Sequence, residues 1–295
     1  MKSGTSSQIP LIDAHHHLWR YQAAEYPWIE SKSVLARDYL LPELDAACLA
    51  SGISGTIAVQ ARQTTAESDF LLDLATSSPQ ILGVVGWVPL IDPDVDEHLA
   101  RLSASPVFSG ARHVLQDEPE DYFLRDDFHH GLSRLAAHGM RYDLLIYQHQ
   151  ISSAIQLVDR QPSLEIVVDH IAKPAVRPGQ VDPMWKAGMR ELAKRDHVRG
   201  VKFSGLATEF PNDQAIDPAT VKAYFDATLE IFGSGRVMFG TDWPVCLLRL
   251  PHSDWTSSVR ELASSLSRDE QAEILSGNAR RIYALKEFNP LSNTR

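Results

Sequence analysis

The stretch Arg141–His170, RYDLLIYQHQISSAIQLVDRQPSLEIVVDH, contains the pattern that decides the fold. A short strand-like run, Arg141–Ile146, is followed over Ile151–Asp159 by apolar residues at three- and four-residue spacing. A second run, Leu164–Asp169, is rich in β-branched residues. The order predicted is therefore strand, helix, strand, which pairs the two strands in parallel through a right-handed crossover.

The same alternation fills most of the chain and predicts eight strands in all. The other six predicted strands are Pro10–Ala14, Gly55–Gln60, Ile81–Val88, Ser109–Val114, Gly200–Ser204 and Arg236–Gly240. Further helical spacing covers Phe70–Ala75, Phe128–Ala137, Pro183–Lys194 and Val221–Phe232, with a closing helix over Glu270–Leu285 that Gly277 and Asn278 interrupt. Eight such units predict an α/β fold, a single (β/α)8 TIM barrel. An open doubly wound sheet is the alternative, although no glycine-rich phosphate-binding turn follows the first strand.

The barrel is predicted to span residues 9–285 as one domain, with residues 1–8 and 286–295 as tails. The segment Trp19–Leu41, after the first strand, is long and aromatic. Loops that follow barrel strands lie over the mouth of the barrel, and a loop of this length is typically functional.

The composition describes a chain that can bury a large core, since 44% of its 295 residues are hydrophobic and 22% are charged. No apolar run approaches the roughly 18 residues of a membrane span, and the N-terminal MKSGTSSQ lacks the apolar stretch of a signal peptide. Cys48 and Cys246 are too few for a disulfide framework or a thiolate zinc site. We therefore expect a cytoplasmic protein without a membrane partner.

Several classes of function are excluded by what the sequence lacks. The formal net charge is −10 and the Lys and Arg residues are scattered, so a nucleic-acid-binding surface is not expected. The chain contains no GxSxG elbow, no P-loop and no HExxH motif.

Histidines stand at several predicted strand ends, where barrels of this kind build their active sites. His15 and His17 are two apart on an extended segment, so both side chains leave the same face. Two adjacent imidazoles suit metal binding or joint polarisation of one oxygen. His16 points the other way and is interpreted as structural. Six other histidines are expected to be solvated in helices or connecting loops: His98, His129, His130, His138, His197 and His252.

A carboxylate and a further histidine complete the set at the mouth. Asp242 follows the eighth strand, and because an isolated buried charge is costly it must be paired there. His170 ends the sixth strand, and we interpret both residues as functional. Arg112 and His113 alternate on the fourth strand, so only one of them faces the lumen, and the sequence does not decide which.

Lys202, on the seventh strand, either enters the mouth or pairs with Asp169. Gln60, Trp87 and Trp243 stand at the ends of three other strands, where a substrate would contact them.

The opening set Ile12-Asp13-Ala14-His15-His16-His17 resembles the D-x-H-x-H start of the amidohydrolase superfamily. The rest of the chain is similar to its amidohydrolase-2 branch, which contains sugar-acid lactonases and pyrone-dicarboxylate hydrolase. The matching pieces run in order from about residue 11 to 285: Tyr26-Pro27-Trp28, Val59-Gln60-Ala61, Gly83–Val88, Gly110–Gln116, Val168–Pro174, Val201–Leu206, Phe239–Val245 and Gly277–Tyr283.

This resemblance implies a (β/α)8 barrel that hydrolyses a bond at a carbonyl carbon. It implies one divalent metal, zinc in the first instance, held by His15, His17, His170 and Asp242, with the aspartate taking a proton from the attacking water. Superfamily members with two metals bridge them through a modified lysine on the fourth strand, and Ser109–Val114 contains none. The same branch includes enzymes that work without metal, so these residues do not by themselves require an ion.

Our leading hypothesis is a hydrolase that opens a sugar-acid lactone, with Asp242 as general base on water. His15 and His17, or a metal they bind, would stabilise the oxyanion, and His170 would orient the water or protonate the leaving alkoxide. Turnover is predicted not to depend on the metal. The candidates for binding the rest of the substrate are Gln60, Trp87, Arg112, His113, Lys202 and Trp243.

Three alternatives stay open. The first is hydrolysis of an anionic lactone such as a pyrone dicarboxylate, for which Arg112 and Arg125 are the available cations at the mouth. A decarboxylase is the second, and a non-catalytic small-molecule binder is the third. Such barrels commonly form small homo-oligomers, but no residue here selects an oligomeric state.

Overall fold

A computed structural model describes residues 9–285, whose strands form one eight-stranded sheet in sequential order. All neighbouring pairs are parallel. The strands are β1 Ile12–His16, β2 Gly55–Val59, β3 Ile81–Gly86, β4 Phe108–His113, β5 Arg141–Leu144, β6 Ile166–Val168, β7 Val198–Phe203 and β8 Val237–Phe239. The eight predicted strands and the TIM barrel are confirmed, with strand ends displaced by at most two residues.

The last strand meets the first through the segment that follows β8. The amide of His17 donates to the carbonyl of Trp243 at 2.6 Å, and the amide of Asp242 donates to the carbonyl of His15 at 2.8 Å. Asp13 accepts hydrogen bonds from the amide and hydroxyl of Thr241. The contacts that join β8 to β1 therefore also bring Asp242 beside the two histidines of β1.

Helices cover the outside of the sheet. They are α1 Leu41–Ser51, α2 Thr65–Ser77, α3 Val95–Ser103, α4 Asp126–Ala137, α5 Ile151–Asp159, α6 Pro183–Ala193, α7 Pro218–Phe232, α8 His252–Ala263, α9 Arg268–Ala272 and α10 Asn278–Ile282. Their buried residues repeat at three- and four-residue spacing, as Phe128, Leu132 and Leu135 do in α4. The five predicted helical segments are confirmed.

The predicted interruption of the closing helix at Gly277 and Asn278 is wrong. A π-helical turn, Glu273–Gly277, joins α9 to α10, and both residues have helical backbone angles. The Asn278 amide is buried and donates to the carbonyls of Ser234 and Val237 at 2.7 Å each. This asparagine attaches the helix to β8 instead of ending it.

The floor of the barrel is apolar and is covered by the C-terminal helix. Ile12, Ile57 and Val85 pack there with Ile282 and Tyr283. The predicted tails, residues 1–8 and 286–295, lie outside the described residues. Among the helices of residues 9–285, none combines the length and apolar character that crossing a bilayer requires.

The long segment after β1 lies over the mouth, as predicted. It contains a cluster of aromatic rings in which Trp19 contacts Tyr26, Trp28 and Tyr39 at ring-centroid distances of 5.5–5.8 Å. The indole of Trp28 donates to the carbonyl of Ala61 at 3.2 Å, which fixes this exposed ring beside the loop after β2.

Candidate active site

The end of β1 places His15 and His17 side by side, facing the lumen. Their Nε2 atoms are 3.2 Å apart, and both side chains are almost fully buried. Nδ1 of His17 donates to the carbonyl of Val59 at 2.8 Å, which holds the ring with Nε2 toward Asp242. Nδ1 of His15 lies 3.3 Å from Oδ1 of Asp169.

Asp242 is the point on which the imidazoles converge. Its Oδ1 lies 3.3 Å from Nε2 of His17, 3.8 Å from Nε2 of His170 and 3.9 Å from Nε2 of His15. The sequence predicted these four residues as the catalytic and metal-binding set, and the structure brings them together at one point of the barrel mouth.

A left-handed turn of the backbone carries His170 toward the Asp242 carboxylate. His170 and the three residues after it have φ between 39° and 57°, and Asp242 has a φ of 57°. Left-handed backbone costs L-residues roughly 1–2 kcal/mol each, so this strain is held in place by the surrounding contacts. A Cβ on Gly205 would lie 2.7 Å from the His170 ring, so only glycine leaves space for that ring here.

The electrostatics of the site suit a carboxylate base beside two imidazoles, His15 and His170, that burial keeps neutral. Burial lowers the pKa of His15 well below its ordinary value and that of His170 to about 4. Burial opposes ionisation of Asp242, but the adjoining His170 ring, a hydrogen bond from His17 and the charge of Lys173 together lower its pKa. At neutral pH, Asp242 is therefore a carboxylate that can accept a proton.

A buried ionic network lies beneath this set. Lys202 is fully buried, pairs with Asp143, and lies 3.0 Å from Asp169 and 3.2 Å from Nδ1 of His15. Arg112 donates to Asp169 at 3.2 Å, and its Nη1 is 3.3 Å from Nε2 of His15. These charges support His15 from below.

A cavity of about 500 Å³ opens above the set. It is lined by four of the predicted site residues, His17, Arg112, His170 and Asp242, whereas His15 lies beneath them. Of the two alternating residues on β4, Arg112 therefore faces the mouth. His113 stacks on Tyr122 in the helix layer and lies 3.0 Å from Glu118.

The structure places four other predicted substrate contacts outside the lining of this cavity. Lys202 is in the network below it, and Gln60 is fully buried with its amide 3.4 Å from the carbonyl of Arg112. Trp87 is half-buried beside Ser68. Trp243 packs edge-on against Tyr39. Direct substrate contacts through these residues remain predictions.

Two histidines expected to be solvated are buried instead. His129 is held by Gln161 at 2.9 Å, and His252 contacts the Ser51 hydroxyl at 2.8 Å. His16 is buried near Trp243 on the side away from the cavity, in agreement with the structural role predicted for it.

Sequence reasoning missed several side chains that line the cavity. Trp28, Arg62, Lys173 and Glu209 all follow strands, so their position in loops at the mouth was an available signal. Lys173 also falls in the stretch Val168–Pro174 that resembles the amidohydrolase-2 branch, but no glycine marks the left-handed turn that carries it.

The donor set fits one divalent metal ion. Ligand atoms of His15, His170 and Asp242 lie within 4.8 Å of one another, and Nε2 of His17 adjoins them. Imidazole nitrogens with a carboxylate oxygen are ligands that zinc accepts. The rear nitrogens of His17 and His170 have protein hydrogen-bond partners, as metal-binding imidazoles usually do.

A (β/α)8 barrel with histidines after its first and sixth strands and an aspartate after its eighth defines a class of hydrolytic enzymes. A family model described as amidohydrolase matches residues 12–285, so the chain belongs to that family and the predicted resemblance is confirmed.

Two named relatives and one solved structure are similar to this chain over nearly its whole length. The chain is 40% identical to an L-fucono-1,5-lactonase of Burkholderia multivorans, across 94% of this chain and 96% of the relative. It is 31% identical to an L-fucono-1,5-lactonase of Burkholderia ambifaria, across 93% and 95%. A crystal structure of a Burkholderia multivorans amidohydrolase with bound zinc superimposes with a TM-score of 0.90 at 38% identity, covering 94% of this chain and all of that one.

Proposed function

We propose that this protein hydrolyses the lactone of a sugar acid to the free acid. The observation that carries the proposal is the convergence of three imidazoles on Asp242 at the floor of the cavity. The similarity to relatives named L-fucono-1,5-lactonase supports the substrate class.

In the proposed reaction, Asp242 takes a proton from a water molecule as that water attacks the lactone carbonyl. The carboxylate is ionised at neutral pH, and the adjoining imidazoles fix its orientation. Attack creates negative charge on the carbonyl oxygen, which we propose is stabilised by Arg112 and His17 in the cavity lining and by His15 beneath them. Collapse of the tetrahedral intermediate then breaks the ring C–O bond, and the proton taken by Asp242 passes to the departing alkoxide, directly or through His170.

His170 is the group proposed to orient the water or protonate the departing alkoxide. Nδ1 of its ring contacts the Ser204 hydroxyl at 2.9 Å, so the ring is held with Nε2 toward the cavity. A zinc ion held by His15, His17, His170 and Asp242 would, when bound, add Lewis-acid charge at the carbonyl oxygen.

The charges of the cavity favour a neutral lactone over an anionic one. Arg62 is paired with Glu25, Arg112 is paired with Asp169, and the Lys173 ammonium donates to Gln116, so each cation of the lining already has a protein partner. We also propose a cytoplasmic location, which agrees with the two buried, unpaired cysteines.

The test is hydrolysis of fuconic, rhamnonic, galactonic and arabinonic lactones, followed with a pH indicator. We expect at least one to be opened well above the spontaneous rate, with the free acid as product. Absence of turnover across the panel would argue against a lactonase. Release of carbon dioxide from an aromatic acid would favour the decarboxylase instead.

A further inference from the structure

Glu209 is a carboxylate that lines the cavity without a partner. It ends the short turn Leu206–Glu209 that follows β7, and its side chain is half-buried beside Thr208 and Asp242. Among the residues that the structure describes, no hydrogen bond or ion pair reaches either of its oxygens.

The other carboxylates of the lining are accounted for. Glu25 pairs with Arg62, Asp117 is exposed to water, and Asp242 is surrounded by the catalytic imidazoles. Among these lining carboxylates, Glu209 alone is half-buried in the cavity wall with neither an ion-pair partner nor a hydrogen-bond donor.

The nearest cation, Lys173, forms no ion pair with Glu209. Lys173 lies on the left-handed turn after β6 and is the main charge that opposes the rise in the pKa of Glu209 caused by burial. Its ammonium donates to the side-chain oxygen of Gln116 at 2.7 Å and lies over the ring of Tyr147. Lys173 is therefore held by other groups.

A substrate that displaces water from this carboxylate must itself supply hydrogen-bond donors. An ionised carboxylate only accepts hydrogen bonds, and its two oxygens can bind two neighbouring hydroxyl groups. A substrate carboxylate would be repelled by it, and a lactone without hydroxyls would leave it desolvated and unpaired.

We propose that Glu209 is a specificity-determining residue that accepts hydrogen bonds from ring hydroxyls of a neutral lactone. This inference rests on the proposed function, because it assigns the substrate of the same cavity. It predicts that substrate recognition depends on particular hydroxyls, and that Glu209 is the group that accepts hydrogen bonds from them.

The experiment compares wild type, Glu209→Ala and Glu209→Gln on an aldono-1,5-lactone and on its monodeoxy forms, each lacking one hydroxyl. Loss of a charge-assisted hydrogen bond is expected to lower kcat/KM of Glu209→Ala roughly 10-fold to 100-fold on the parent lactone. On the deoxy lactone that lacks the contacted hydroxyl, wild type and variant should agree within about threefold. Glu209→Gln should be intermediate, since its amide oxygen still accepts.

Glu230→Gln is the matched control, because it removes the same charge from the exposed surface of α7, where Glu230 pairs with Lys186 and Arg190. It should leave every substrate unaffected. An unchanged kcat/KM in Glu209→Ala, or an equal loss on the parent and all deoxy lactones, would overturn the assignment.

A binding measurement separates this inference from the proposed function. Calorimetric titration with a 1,5-anhydroalditol, a cyclic polyol without a carbonyl, tests hydroxyl recognition even if no lactone is turned over. We expect Glu209→Ala to bind it about 10-fold more weakly than wild type. Equal binding by both proteins, or no binding to wild type, contradicts the role of Glu209.

Discussion

The two sides of the strand ends at the barrel mouth differ in what they hold. The side facing the lumen carries His15, Arg112 and Asp242, whose polar atoms lie within 4 Å of other ionisable groups. Their chain neighbours on the helix side, His113 and Trp243, contact aromatic rings instead.

Both sides are buried, so burial alone does not mark function here. On the lumen side, buried charges are paired with one another and open onto a cavity. On the helix side, aromatic rings fill space, and both ring nitrogens of His16 lack a hydrogen-bond partner among the described residues. Substitutions on the lumen side should therefore change turnover, and substitutions on the helix side should change stability.

Asp242→Asn should show the largest effect. The amide is nearly the same size as the acid but does not accept the proton from water, so kcat should fall roughly 10²- to 10⁴-fold. Unfolding by urea should give a free energy within about 1 kcal/mol of the parent. Activity within threefold of wild type would show that another group is the base.

Phe128→Ala tests the helix side. Phe128 is fully buried in α4 and contacts the rings of His113, Tyr122 and Tyr142. Removing the ring should lower the free energy of unfolding by about 3–5 kcal/mol, measured by urea denaturation. In folded protein at 25 °C, kcat/KM should stay within about twofold, with Phe128→Leu as the milder variant if the alanine form is poorly folded. A large loss of kcat in folded protein would break the comparison.

His252, on the helix side, should make the free energy of unfolding depend on pH in the acid range. Burial lowers its pKa from 6.5 to about 4, so between these values the unfolded chain binds a proton that the folded protein excludes. Stability is therefore retained above pH 6.5 and lost as the pH falls, by about 2 kcal/mol between pH 7 and pH 5. His252→Gln should remove that part of the pH dependence in urea titrations. An unchanged slope would mean that the imidazole is protonated in the fold.

The difference between the two sides was partly readable from the sequence. Side chains alternate along a strand, so the spacing of His15 and His17 was enough to place them on one face. The strand pattern likewise placed His170 and Asp242 at the same rim. The alternation could not decide between Arg112 and His113, because it fixes their opposition and not the side that each takes.

Other features depend on tertiary contacts that no local pattern reports. The left-handed turn after β6 contains Ile171 and Ala172, residues that ordinarily avoid positive φ. The sequence did not decide whether Lys202 enters the mouth or pairs with Asp169. Its burial depends on Asp143 and Asp169, which two other strands supply. Such long-range pairs cannot be read from spacing along one segment.

The smallest effect is expected from removal of metal, which tests how the lumen side supplies positive charge. Three of the four predicted ligands, His15, His170 and Asp242, lie close enough together to hold zinc, and a similar protein has been crystallised with zinc bound. A lactone is an activated ester, however, and Arg112 already places a permanent cation 3.3 Å from His15 at the floor of the cavity. We therefore predict that prolonged chelation, verified by metal analysis of the same sample, changes kcat less than about twofold. Arg112→Met should then be more harmful than chelation, by roughly 10-fold or more, because it removes the charge that does not depend on an ion. If the rate instead falls with metal content and added zinc restores it, the ion and not the guanidinium stabilises the oxyanion.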